Sequence, residues 1–247
     1  MSLVDDLQTS PAAAASEVEK YFQSAVRRYN SETGPRILGR VTTEKLPTAK
    51  RDLSSFRSRL GALIEYAVGS LLDEMFVQDF GNDLSLAFVH ANQYPDYYIR
   101  NADGEPLLSI DAKGLHEESE EFSARLTVPV AQLTKRDFVL YFAWQWDTTK
   151  VGSSSRIYPR VYDDLVLVSA SEIAQERDRR HMMGVGNSFG PAGEPLLGSG
   201  NIDTNFGKIN RIVHPSRRDA PDLAPDVRRF LEFTQRQAAV VPKIDIP

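Results

Sequence analysis

Apolar residues recur along this chain at two different periods, and the change of period marks out its elements. Val18, Tyr21, Phe22, Ala25, Val26 and Tyr29 fall at helical spacing and give one apolar face. Ser10-Pro11 suits the start of that helix, with serine as N-cap and proline at the first helical position. Ser31 to Pro35 reads as a turn, and the polar stretch to about Arg51 as loop. A second helix is predicted from roughly Leu53 to Phe76, with Leu60, Ile64, Ala67, Val68, Leu71, Leu72 and Met75 as its buried stripe.

Three strands follow, at Leu84 to Val89, Tyr94 to Arg100 and Leu107 to Lys113. Asn101-Ala-Asp-Gly104 joins the last two as a hairpin turn, because Asp-Gly tolerates the positive φ such turns need. Phe138 to Trp146 is apolar at nearly every position, as expected of a strand covered on both faces. Asp164 to Val168 is a further short strand, and Ser169-Ala-Ser-Glu172 fits a capping box opening a helix to about Arg180. Met183 to Lys208 holds seven of the fifteen glycines and reads as loop. A last helix is expected near Pro225 to Gln237, with Val227, Phe230 and Leu231 on one side. There is no internal repeat, and one α/β domain over residues 1–247 is the economical reading.

Composition narrows the chemistry. With 247 residues, 41% of them hydrophobic, the chain can bury a substantial core. It has no cysteine, which excludes disulfides and thiolate zinc sites. The four histidines, His90, His116, His181 and His214, include no pair at helical ligand spacing. A metal here would be held by carboxylates and carbonyls, which favours magnesium, calcium or manganese. The N-terminal segment lacks the basic start and apolar run of a signal peptide, and no apolar stretch is long enough to span a membrane. A cytoplasmic address is expected. The net charge of −5 argues against a nucleic-acid partner. It does not exclude one, since a groove can be basic on an acidic protein and metal-binding carboxylates themselves add negative charge.

The informative segment is YPDYYIRNADGEPLLSIDAKG, residues 94–114. Strand side chains alternate, so Asp111 and Lys113 project from one face with Ala112 turned away, and the hairpin brings Asp96 alongside Asp111. Two carboxylates and the Ala112 carbonyl are the hard oxygen donors that magnesium takes. Lys113 beside them would place the attacking water or stabilise the phosphorane, an arrangement suited to phosphodiester hydrolysis.

Pro95-Asp96, fourteen intervening residues, then Asp111-Ala112-Lys113 resembles the signature of the PD-(D/E)XK nuclease superfamily, whose best-known members are type II restriction endonucleases. The resemblance covers roughly residues 53–170. It implies a restriction-endonuclease-like core, a central mixed β-sheet flanked by helices, with N-terminal helical and C-terminal loop and helix elaborations. It also implies Mg2+ as cofactor, with Mn2+ able to substitute, and catalysis by Asp96, Asp111 and Lys113. In such nucleases the first core helix often supplies a further carboxylate near the metal, and Glu65 is the candidate. Gly61 and Gly69 flank it on the same helical stripe, leaving it room to approach the sheet.

Plain structural roles compete at each position. Asp111 and Lys113 alone would make a surface ion pair worth little. Glu65 would be an exposed helix glutamate and His116 a loop residue, while His181 would gain only from a helix C-terminus. Trp144 and Trp146 suit core packing better than base stacking. The clusters Arg27-Arg28, Arg57-Ser-Arg59, Arg177-Asp-Arg-Arg180, Arg217-Arg218 and Arg228-Arg229 would neutralise phosphates or pair with nearby carboxylates. Asn187, Asn201, Asn205 and Asn210, in and beyond the glycine-rich stretch, are the candidate base readers, since asparagine pairs adenine edges.

The expected function is therefore a restriction-type endonuclease cutting double-stranded DNA at a specific site. Such sites are commonly palindromic, so a twofold homodimer is expected. A repair, resolvase or modification-dependent nuclease of the same fold, a non-catalytic DNA-binding protein that retains the fold, and a soluble enzyme of unrelated chemistry are the alternatives.

Overall fold

Residues 138–144 are buried without interruption because the strand that carries them has a packed layer on each face. Along it the side chains alternate. Phe138, Leu140, Phe142 and Trp144 enter one apolar core, and Val139, Tyr141 and Ala143 enter another. The computed structural model describes residues 3–37, 50–89, 94–116, 126–184 and 212–240. It is an α/β structure with one curled, mixed five-stranded sheet flanked by helices.

The strands are β1 (Leu84–Phe88), β2 (Tyr97–Asn101), β3 (Pro106–His116), β4 (Asp137–Val151) and β5 (Ser154–Ser169), and they lie in chain order across the sheet. All neighbours are antiparallel except β3 and β4, which run parallel with Asp111 level with Val139 and Lys113 level with Tyr141. The β2–β3 turn closes as expected, with the Gly104 amide donating to the Asn101 carbonyl at 2.9 Å and Gly104 at φ 81°. Two predicted strands prove far too short. β5 runs to 16 residues rather than five, and β4 continues to Val151.

One face of the sheet is covered by α1 (Leu3–Thr9), α2 (Pro11–Arg28) and α4 (Lys50–Phe80). Leu7, Val18, Phe22, Ile64, Leu72 and Phe76 are all wholly inaccessible there, so the N-terminal helices build the main core. Helix α1 was not anticipated, and α4 runs four residues beyond the predicted Phe76. Ser10 precedes α2, but its side chain makes no capping bond; Pro11 at the first helical position is retained. Where a turn was expected, the chain makes a π-helical turn, Tyr29–Thr33, and a short helix α3 (Gly34–Ile37).

The other face carries α5 (Ala170–Gly184) and α6 (Pro225–Val240). Only half of the capping box forms, with the Glu172 amide donating to Ser169 Oγ at 3.4 Å. The Glu172 carboxylate instead accepts from the Asp226 amide at 3.0 Å, while Asp226 accepts from the Ser169 amide at 2.7 Å. The first turns of α5 and α6 thus satisfy each other's orphan donors. No helix among the described residues is long and apolar enough to cross a membrane.

Candidate active site

Hairpin register decides where the predicted site residues meet. Tyr97 stands opposite Ile110, so Asp96, the residue before β2, comes level with Asp111. The Asp96 amide donates to the Ile110 carbonyl at 3.1 Å, and its carboxylate accepts from the Ala112 amide at 2.7 Å. In an extended strand the N–H and C=O of one residue face the same neighbour, so the Ala112 carbonyl opens on the Asp96 side as well. The Tyr94–Pro95 peptide bond that leads into this segment is cis.

Asp111 and Lys113 share a face of β3 and form an ion pair with Nζ to Oδ2 at 2.8 Å, their side chains 8% and 14% exposed. Such a pair is costly to desolvate and is no casual rim contact. The charges of Asp96 and Glu65 are also felt at Lys113. Burial, then the effects of Asp96, push the Asp111 carboxyl up to about 6 against the pull of Lys113. Burial works against the Lys113 ammonium, but Asp111, Asp96 and Glu65 together outweigh it and hold its pKa above the ordinary lysine value.

Glu65 reaches this group from α4. Burial is the main reason its carboxyl is pushed up to about 8, followed by repulsion from Asp96, with Lys113 opposing and Asp111 adding. Its backbone carbonyl accepts from the Tyr97 hydroxyl at 2.9 Å, which ties α4 to the start of β2. The two glycines beside it do not clear a path for Glu65. A Cβ on Gly69 would lie 2.7 Å from Phe88 Cζ and 3.1 Å from Tyr97 Cε1, so Gly69 admits those rings, and Gly61 faces open space.

Tyrosines that give no signal in the sequence complete the surroundings. The Tyr141 hydroxyl is fully buried with no hydrogen-bond partner among the described residues, and Asp111 is its first charged neighbour. Tyr94 donates to Asp137 at 3.1 Å; burial chiefly, then Asp137 and Asp111, raise its pKa. Both lie with the α5–α6 core. Their proximity to Asp111 depends on pairing between strands remote in sequence, which no local pattern announces.

The other expectations divide. His116 is neither a loop residue nor open to a ligand. It is buried at the end of β3 with its ring edge-on to Trp144 at 4.5 Å, and burial, then Arg57, lower its pKa to about 4. Trp144 is core, and Trp146 packs against it. His181 falls in the last turn of α5. Many of the arginines are structural. Arg28 pairs with Glu32 and Glu74, Arg217 with Glu176 and Asp222, and Arg229 with Glu19 and Asp226, while buried Arg177 donates to the carbonyls of Leu126 and Val128. Asn187, Asn201, Asn205 and Asn210 lie outside the described residues.

Taken as donors for a metal, the group is sparse. Among the described residues no three of histidine, cysteine, aspartate and glutamate converge on a common point, so Glu65 does not complete a three-carboxylate cage. Asp96, Asp111 and the Ala112 carbonyl supply three hard oxygens beside excess negative charge, which fits an ion that keeps waters of its own. Comparison of the chain with protein-family models, with curated proteins and with solved structures finds no match.

Proposed function

We propose that this chain is a magnesium-dependent DNA endonuclease of the PD-(D/E)XK type, with a restriction-endonuclease-like core, that cuts double-stranded DNA as a homodimer. The observation that carries the reading is the meeting of Asp96, Asp111 and Lys113 at the level where β2 begins, with Ala112 between the last two and bonded to the first. Asp96, Asp111 and the Ala112 carbonyl would hold the cation, for which Mn2+ can substitute. When bound, that cation supplies Lewis-acid charge to a phosphodiester oxygen and activates water. With Asp111 facing the cation, the Lys113 ammonium beside it would be free to hold the attacking water or to balance charge on the phosphate. The geometry supports this, since the Asp96 carboxylate and the Ala112 backbone stand beside the buried Asp111–Lys113 pair.

Plasmid cleavage tests the reading. With Mg2+ the wild-type protein should give discrete fragments, and EDTA or Asp111→Ala should abolish them. Plasmid left intact under varied divalent metals and substrates would overturn it and favour a protein that binds without cutting.

A further inference from the structure

Among the described residues β4 has no β3 partner beyond Trp144, which pairs with His116, but remains paired with β5 from Gln145–Arg160 out to Val151–Ser154. Among the described residues, that outer part is a two-stranded ribbon closed by Gly152-Ser153, with Gly152 at φ 65° as such tight turns require. At about 3.3 Å per residue it extends roughly 20 Å past the last β3 pair. Its base is held firmly. The Tyr29 hydroxyl donates to the Pro159 carbonyl at 2.8 Å, Asn30 bonds both the carbonyl and the amide of Val161 at 2.7 and 3.0 Å, and Phe56 stacks on Trp146 at 6.0 Å.

The tip is basic and rich in hydroxyls. Residues 148–156, TTKVGSSSR, hold two cations, five hydroxyls and no carboxylate, on a chain whose net charge is −5. Thr148 and Lys150 are exposed, and Lys150 has no carboxylate partner among the described residues. The nearest acid along β4, Asp147, precedes the tip and faces Arg160 at 3.6 Å.

Position supplies the second half of the case. β3 and β4 are parallel, so the ribbon leaves the sheet in the direction in which β3 carries Asp111 and Lys113. Lys113 is level with Tyr141, which places the start of the ribbon about 13 Å further along the same axis. A B-DNA major groove about 12 Å wide admits a two-stranded ribbon. Resting on the nuclease reading above, we infer that the β4–β5 ribbon is the arm that engages duplex DNA beside the cleavage site. Lys150 neutralises a phosphate, and the exposed Thr148 and Ser153 hydroxyls bond groove or backbone atoms.

The test is a Lys150→Ala variant, with binding of a short labelled duplex followed by fluorescence anisotropy in Ca2+ over a salt series and melting checked in parallel. One lost phosphate contact should lower the slope of log K against log salt by about 1 and weaken binding about 8-fold near 0.1 M salt. Unchanged affinity and slope, with wild-type cleavage intact, would overturn the ribbon assignment and leave the nuclease reading standing. Loss of self-association with unchanged DNA binding would also overturn it, marking the ribbon as a contact between copies of this chain. A wild-type protein that neither binds nor cuts duplex would remove the nuclease reading and the ribbon's role together.

Discussion

Replacing Glu65 by glutamine should make the metal-free protein more stable, by an amount that depends on pH. Burial and the carboxylate of Asp96 push the Glu65 carboxyl from 4.5 up to about 8. Below the ordinary value the residue is neutral both folded and unfolded, and its charge costs nothing. As pH rises, the unfolded chain ionises first, and the folded state loses stability until the buried carboxyl ionises near pH 8. At about 1.4 kcal/mol per pH unit the whole interval is worth about 5 kcal/mol at most. Glutamine keeps the shape and removes the charge. The difference in unfolding free energy between Glu65→Gln and wild type should therefore be near zero at about pH 4.5, climb with pH, and level off above about pH 8. Urea unfolding in EDTA, followed by the fluorescence of Trp144 and Trp146, reads this directly. Parallel pH profiles for the two proteins would refute the buried, carboxylate-crowded environment assigned to Glu65.

Further outcomes follow from the same geometry. Lys113→Ala should lose cleavage yet bind Mn2+ at least as tightly as wild type, because the ammonium competes with the metal for Asp111; calorimetric loss of the metal site would contradict that division of roles. Tyr141→Phe removes a buried hydroxyl with no partner among the described residues and should stabilise the apo protein by about 1–3 kcal/mol in thermal or urea unfolding, whereas a loss would reveal a bonded phenol. Gly69→Ala places a methyl 2.7 Å from the Phe88 ring and should cost about 1–3 kcal/mol, while Gly61→Ala, facing open space, should be neutral or stabilising; equal effects in denaturant titrations would argue against the α4–β1 packing.

What could be read from the sequence was what is local. The β2–β3 hairpin was legible because Asp-Gly names its turn and alternation puts Asp111 and Lys113 on one face. The helix α4 was legible because seven apolar residues keep one helical stripe. The seven-residue α1 is too short to display a period, and residues 148–156 at the tip of the β4–β5 ribbon have no apolar alternation to announce a strand. Gly69 was misread because the rings that need its space come from β1 and β2. The tyrosines around Asp111 were invisible because Tyr141 reaches it through parallel pairing across a crossover of twenty residues, 117–136. Within that crossover the described residues form only a short 3₁₀ turn, Val130–Gln132, before β4 begins.

We propose that Asp96 and Asp111 hold a divalent cation at which Lys113 assists cleavage of DNA. The measurement that bears on it most directly is Mg2+-dependent cleavage of an end-labelled duplex by wild type, Asp96→Asn, Asp111→Asn and Lys113→Met, each checked for native melting. Wild type should produce 5′-phosphate and 3′-hydroxyl ends and each folded variant should fall by two orders of magnitude or more, whereas an Asp111→Asn protein that cuts at the wild-type rate would contradict the claim.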